Sequence, residues 1–208
     1  MIVKIIIFIS KLSFLKKNIY IKNFLKILVK LFSRLIYGRY KKISIINKFD
    51  FLIDSSFAFS NFENFHKNHN KGFEKLLEIS NNSNVVFDIG AHIGLCTLPL
   101  SKLAKKVISF EASPTNLKYL NSHININQCS NVTIIPCLVG EKNSDHIDFF
   151  DAKNGSGIPS IVNIKFKKKN MTINHIKLKQ LSLDSYIEET SIFPEIMKID
   201  VEGGSLIY

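Results

Sequence analysis

Tryptophan is absent, arginine occurs twice against 26 lysines, and three cysteines and five prolines are spread through 208 residues. Each scarcity removes a class of protein. Cys96, Cys129 and Cys137 have no C-x-x-C spacing, so they read as buried thiols of a reducing compartment rather than as disulfides or zinc ligands. No apolar run approaches the roughly 20 residues that a membrane-spanning helix needs. Met1 to Ile9 is apolar but short, interrupted by Lys4, and lacks the small-residue cleavage site of a signal peptide. Scarce arginine and no groove-reading motif argue against nucleic acid as a partner. Acidic residues are missing from residues 1–49, which hold 12 Lys and Arg; the remainder holds 16 basic and 17 acidic residues, so +12 and −1 give the net +11. The basic character belongs to the N-terminal quarter, and the rest is close to neutral.

Between Ile19 and Tyr37, Lys22, Lys26, Lys30 and Arg34 recur every four residues. Phe24, Leu25, Ile27, Leu28, Leu31, Phe32, Leu35 and Ile36 fill the other positions. This spacing predicts a helix with a narrow basic stripe and a wide apolar face, stopped at Gly38. Two readings stand: an interfacial helix against an anionic membrane, or a helix packed on the body of the protein with its lysines solvated. Residues 49–72 are rich in phenylalanine and weak in helical spacing. They read as packing material behind the N-terminal helix, with a lid over a ligand as the rival. His66 and His69 read as a surface pair, since no third metal ligand is near.

The chain turns on Val85-Val86-Phe87-Asp88-Ile89-Gly90-Ala91-His92-Ile93-Gly94. An apolar strand runs into a turn with two glycines four apart, then into Leu95 to Leu103, which reads as a helix if Pro99 sits in its first turn. Strand, glycine turn and helix hold nucleotide cofactors at the carboxyl edge of a parallel sheet. The three-glycine dinucleotide pattern fails at His92, which argues against a nicotinamide oxidoreductase. Asp88 at the strand end suits a ligand with an ammonium group and a positive sulfur. A second apolar run, Val107 to Phe110, ends in Glu111, placed to accept hydrogen bonds from ribose hydroxyls. Ser113 and Pro114 then start a helix to about Asn125, Val132 to Pro136 reads as a strand, Ser182 caps a helix, and Ile196 to Ile199 is the next parallel strand.

Three motifs in order resemble the FkbM family of S-adenosylmethionine-dependent methyltransferases: Asp88-Ile-Gly-Ala-His-Ile-Gly94, Phe110-Glu-Ala-Ser-Pro114 and Lys198-Ile-Asp-Val-Glu-Gly203. The resemblance runs from about Phe73 to the end, and the last motif is its most specific part. It implies an α/β class I methyltransferase fold with a Rossmann-like sheet, S-adenosyl-L-methionine as cofactor, and transfer to oxygen on a sugar, glycan or other small hydroxylated acceptor. It departs from the family at His92, where Asn is common, at Ala112, where Pro is usual, and at Ser205, where a second Glu is common. It also implies a β-hairpin insertion between 141 and 178, flanking the glycines of Asn154 to Gly157 and the basic run Lys165 to Lys169, as a contributor to acceptor binding.

These readings divide the chain into a basic amphipathic segment, 1–48, a Phe-rich connecting region, 49–72, and a partial methyltransferase domain, 73–208. Cofactor contacts are expected from Asp88, Gly90, Ala91, His92, Gly94 and Glu111. Asp200 is the candidate acceptor-site or base residue and Glu202 its support, because both follow the strand beside the cofactor strand; His92, on the cofactor turn, is a weaker candidate. No metal is expected. The expected location is cytoplasmic, peripheral to a membrane through residues 19–37. The rival from another class is a degenerate methyltransferase fold serving as a membrane-docking or scaffold module. Only Asp200 to Tyr208 follow the strand at Ile196, too few for the three further strands of a class I sheet, so the sequence reads as C-terminally truncated, with an apolar edge at that strand and an incomplete site.

Overall fold

The computed structural model describes residues 19–57, 72–152 and 173–201. Glu202, His66, His69, the glycines of Asn154 to Gly157 and the run Lys165 to Lys169 lie outside the described residues. The chain divides into two compact units, Met1–Phe65 and His66–Tyr208.

In the first unit, α1 spans Ile19–Tyr37, as the four-residue spacing predicts, and ends at Gly38, whose φ of +66° is the left-handed C-terminal geometry. A hairpin follows, β1 (Tyr40–Ile45) antiparallel to β2 (Phe49–Asp54), closed by a turn in which Ile46 and Asn47 both have positive φ. Ile43, Ile45, Phe51 and Ile53 are buried, and α1 lies against β1 and the 3-10 turn Ser55–Phe57. The Ser55 hydroxyl donates to the Gly38 carbonyl at 2.7 Å, tying the hairpin's end to the helix stop. The boundary expected between residues 48 and 49 therefore falls in the turn of a hairpin. Phe49 and Phe51 are strand residues; the run Phe49-Asp50-Phe51-Leu52-Ile53 carries a period of two that its aromatic richness conceals.

In the second unit, α2 (Phe73–Ile79) leads into β3 (Val85–Ile89), followed by α3 (Thr97–Leu103), β4 (Lys106–Phe110), α4 (Pro114–Ile126) and β5 (Val132–Ile135). With β9 (Ile196–Ile199) they form a parallel sheet in the order β5-β4-β3-β9. Pro99 lies in the first turn of α3, and Ser113 caps α4 by accepting from the Asn116 N–H at 3.2 Å. The alternation of β3 and β4 sorts their side chains onto two faces. Phe87, Ile89, Ile108 and Phe110 meet α5 (Leu183–Thr190), where Phe87, Phe110 and Tyr186 stack edge to face at 5.3 to 5.8 Å. On the other face Asp88 and Ser109 meet Thr97 of α3. Between β5 and α5 the expected hairpin is present: β7 (Ser144–Ala152) runs antiparallel to β8 (Ile173–Leu181), which also pairs with the short β6 (Leu138–Val139).

Candidate active site

The turn from β3 to α3 sits on the carboxyl ends of β3, β4 and β9. Gly90 and Gly94 both have positive φ, which glycine adopts without a Cβ clash. The space their missing side chains leave is used by the protein. A Cβ on Gly90 would overlap the backbone carbonyl of Asp200, and one on Gly94 would come within 2.8 Å of Leu120 in α4. The first glycine thus lets β9 close against β3, and the second lets α4 pack under the turn. His123, buried in α4, reaches the Ile93 carbonyl through Nδ1 at 2.8 Å and pins the turn from below.

Four of the turn's N–H groups are spent on the fold. The N–H groups of Gly90 and Ala91 donate to the Phe110 carbonyl at 2.9 and 3.0 Å, that of His92 to Glu111 Oε2 at 2.7 Å, and that of Gly94 to the Ala91 carbonyl at 2.9 Å. A phosphate would need such groups free. A sulfonium nucleoside carries no phosphate and does not call on these four groups.

Asp88 is fully buried, and its carboxylate is closed by protein groups. Thr97 Oγ1 donates to Oδ2 at 2.6 Å, and the Lys198 ammonium faces Oδ1 at 3.0 Å, a contact of charge rather than of hydrogen-bond geometry. Lys198 stands directly opposite Asp88 in the parallel register and also donates to the Gly90 carbonyl at 2.8 Å. Burial by itself would lower the Lys198 pKa; Asp88 above all, with Cys96 and Asp200 beyond it, outweighs that and holds the ammonium above its ordinary value. Asp88 thus has a cationic partner within the chain.

Glu111, also buried, clips the turn to the end of β4. Beside the His92 N–H it accepts from the Ser113 N–H at 2.8 Å and from Asn116 Nδ2 at 3.2 Å. Burial raises its pKa, against the pull of these donors. His92 holds φ at +55°, left-handed geometry in which Asn, Asp and His are enriched among non-glycine residues. That explains how His replaces the family's Asn at this position. Burial first, then the Lys198 charge, lower its imidazole pKa against an opposing pull from Asp200, so the ring is neutral at pH 7.

Asp200 differs from the other two carboxylates. It follows β9, stands 3.9 Å from Lys198 Nζ, and is 67% exposed, at the edge where open α/β sheets bind ligands. Its backbone is fixed by an N–H to the Ile89 carbonyl at 3.0 Å. Nearby, burial, reinforced by the Asp88 charge, pushes the Cys96 thiol up to about 12.

The structure thus brings Asp88, Gly90, Ala91, His92, Gly94, Glu111 and Asp200 to one sheet edge. A family model described as the methyltransferase FkbM domain matches residues 88–206, more than half of the chain. The chain belongs to the FkbM methyltransferase family. The family's cofactor is S-adenosylmethionine, and the parallel α/β sheet is that of a class I, Rossmann-like methyltransferase. A curated relative from Methanocaldococcus jannaschii, a tRNA(Phe) (4-demethylwyosine(37)-C(7)) aminocarboxypropyltransferase, is 36% identical over 80 residues, which are 38% of this chain and 31% of the relative. The chain thus spans about a third of that relative's length. Among solved structures, TYW2 of M. jannaschii in complex with AdoMet is 29% identical over 48% of this chain and 45% of that one, with a TM-score of 0.36. Trm5b of Pyrococcus abyssi is 21% identical over 47% and 28%, also with a TM-score of 0.36.

Two contributors went unassigned in the sequence reading, Lys198 and Thr97. Lys198 had a signal: a lysine inside the apolar strand Ile196-Met-Lys-Ile199 needs a buried partner. Thr97 had none, since its role depends on where α3 crosses β3.

Proposed function

We propose that this chain binds S-adenosylmethionine over the carboxyl ends of β3 and β4 and methylates an oxygen of a sugar, glycan or other small hydroxylated acceptor. The observation that carries this reading is the glycine turn, four of whose N–H groups bond within the fold, beside an exposed carboxylate, Asp200, at the same edge. Bound there, S-adenosylmethionine supplies a methyl carbon already activated by its sulfonium. The chain's own part is positioning and proton removal. Glu111 holds the His92 end of the turn and sits where ribose hydroxyls would lie, while Asp88 and Lys198 fix the Gly90 end. Asp200 takes the acceptor's hydroxyl proton as the O–CH3 bond forms and the C–S bond breaks, leaving S-adenosylhomocysteine; Glu202 is assigned to support it.

The curated relative is named for a different transfer, onto tRNA(Phe), and matches over a minority of both chains. Its name makes tRNA the rival acceptor class and aminocarboxypropyl transfer the rival chemistry. Both are separated in one experiment. The protein is incubated with S-adenosylmethionine and either a pool of sugars and glycans or tRNA, and the nucleoside product is identified. S-adenosylhomocysteine with a methylated sugar supports the proposal, and Asp200→Asn should then lower turnover by about 10²- to 10⁴-fold with unchanged cofactor affinity. Methylthioadenosine with modified tRNA moves the chain to the relative's chemistry. No cofactor binding by calorimetry leaves the degenerate scaffold reading standing.

A further inference from the structure

The outward face of α1 carries an inference that does not depend on methyl transfer. Phe24, Ile27, Leu31 and Leu35 are between 54% and 79% exposed. Their spacing of three, four and four residues sets them in one line along the helix. The adjoining side turns toward the unit: Leu25, Leu28, Val29 and Phe32 are partly buried and Ser33 is fully buried. The apolar face is therefore wide, and its own unit covers only part of it. Lys30 and Arg34, both exposed, form the next row beside the open apolar line; Arg34 reaches the buried Asp54 only at 3.8 Å.

We propose that this face docks on the surface of an anionic phospholipid bilayer, with α1 lying in the plane of the interface. Its four apolar side chains would enter the acyl boundary, and Lys30 and Arg34 would extend to the lipid phosphates. Charge complementarity selects this occupant, because residues 1–49 hold 12 basic residues and no acidic one. A second copy would set the same basic row close to itself. Nucleic acid would use the lysines but leave a line of Phe, Ile and Leu in water. Among the described residues no helix is long and apolar enough to cross a membrane, so the contact is with the surface.

The test is flotation of the full chain with vesicles of phosphatidylcholine alone and of phosphatidylcholine mixed with phosphatidylglycerol, together with light scattering of the free protein. The wild type should float with the mixed vesicles, more weakly as salt is raised. A variant with Leu31→Glu and Leu35→Glu should keep its circular-dichroism melting curve and bind about tenfold more weakly or less. Lys30→Glu, which leaves the apolar line intact, should weaken binding to mixed vesicles alone. Absence of flotation, or equal flotation of the double glutamate variant, overturns the proposal. So does a wild-type dimer that those two glutamates split, with no vesicle binding, since that assigns the face to a second copy.

Discussion

The two halves of the sheet edge use the same residue type for opposite purposes. On the β3–β4 side, Asp88 and Glu111 are buried, and their oxygens meet Thr97, Lys198, His92, Ser113 and Asn116. On the β9 side, Asp200 is 67% exposed and held by its backbone. A carboxylate whose oxygens are consumed by the fold shapes a site; Asp200, held by its main chain and 3.9 Å from Lys198, keeps its side chain exposed. Within the chain, Lys198 already balances the buried charge of Asp88.

Removing the lysine should break that division most severely. Lys198→Met leaves Asp88 buried without its cation, and a buried pair broken on one side costs about 3–5 kcal/mol. Urea unfolding should show this loss, and adding Asp88→Asn to the same chain should recover a large part of it. A cost for Lys198→Met no greater than that of a surface lysine would mean the pair is solvated. The raised ammonium pKa adds an alkaline signature. Its contribution is complete below the ordinary lysine value and is lost as pH rises through the higher folded value, so the wild type should lose stability there and the double variant should not.

Next in size is Gly90→Ala. The new Cβ meets a backbone carbonyl, which cannot swing away, and the residue must keep φ at +76°. Strain of about 1–3 kcal/mol is expected. The Asp200 amide, bonded to the Ile89 carbonyl, should then exchange its hydrogen faster. Gly140→Ala is the control: its φ is not positive, and the Cβ meets only the flexible end of Gln180, so its cost should be clearly smaller. Equal costs would show that β9 does not depend on Gly90.

How much of this was legible follows from the range of each interaction. The strands at Val85, Lys106, Val132 and Ile196 are short apolar runs, and the caps at Ser113 and Ser182 are local patterns, so sequence alone located them. The hairpin Tyr40–Asp54 was hidden because Phe49, Phe51 and Phe57 drew attention to aromatic content rather than to the period of two. The candidate residues, Glu202 aside, lie together at one sheet edge, but the contacts they make were not legible. Asp88 meets Lys198 only through a β3–β9 register spanning 110 residues, and the neighbours of Gly90 and Gly94 come from β9 and α4. A glycine in a turn announces room for something, and only the tertiary structure says for what.

Glu111 gives a smaller effect whose sign is set by burial. Its folded pKa lies above the ordinary carboxylate value, so the unfolded chain loses its proton first as pH rises. Stability should therefore fall between the ordinary value and the raised one, and stay at the lower level above it. Urea midpoints from acidic to neutral pH measure that slope. Glu111→Gln should flatten it, at the separate expense of turning an amide N–H toward one of the donors that Glu111 now accepts. An unchanged slope in the variant would assign the pH dependence to another group.

The smallest effect concerns His92, where conformation and chemistry separate. Left-handed backbone at +55° costs a β-branched residue roughly 1–2 kcal/mol and asparagine little. His92→Asn should leave stability within about 0.5 kcal/mol of wild type, and His92→Val should lose more than that. The main-chain N–H to Glu111 survives in both, so the difference reports backbone conformation alone. The side chain is tested by turnover at neutral pH. With Asp200 as base, His92→Asn should keep most of its activity. A loss in His92→Asn as deep as that of Asp200→Asn, with cofactor affinity unchanged, would transfer the proton from the carboxylate to the neutral imidazole. That outcome would make the buried side of the sheet edge a participant in the reaction as well as its scaffold.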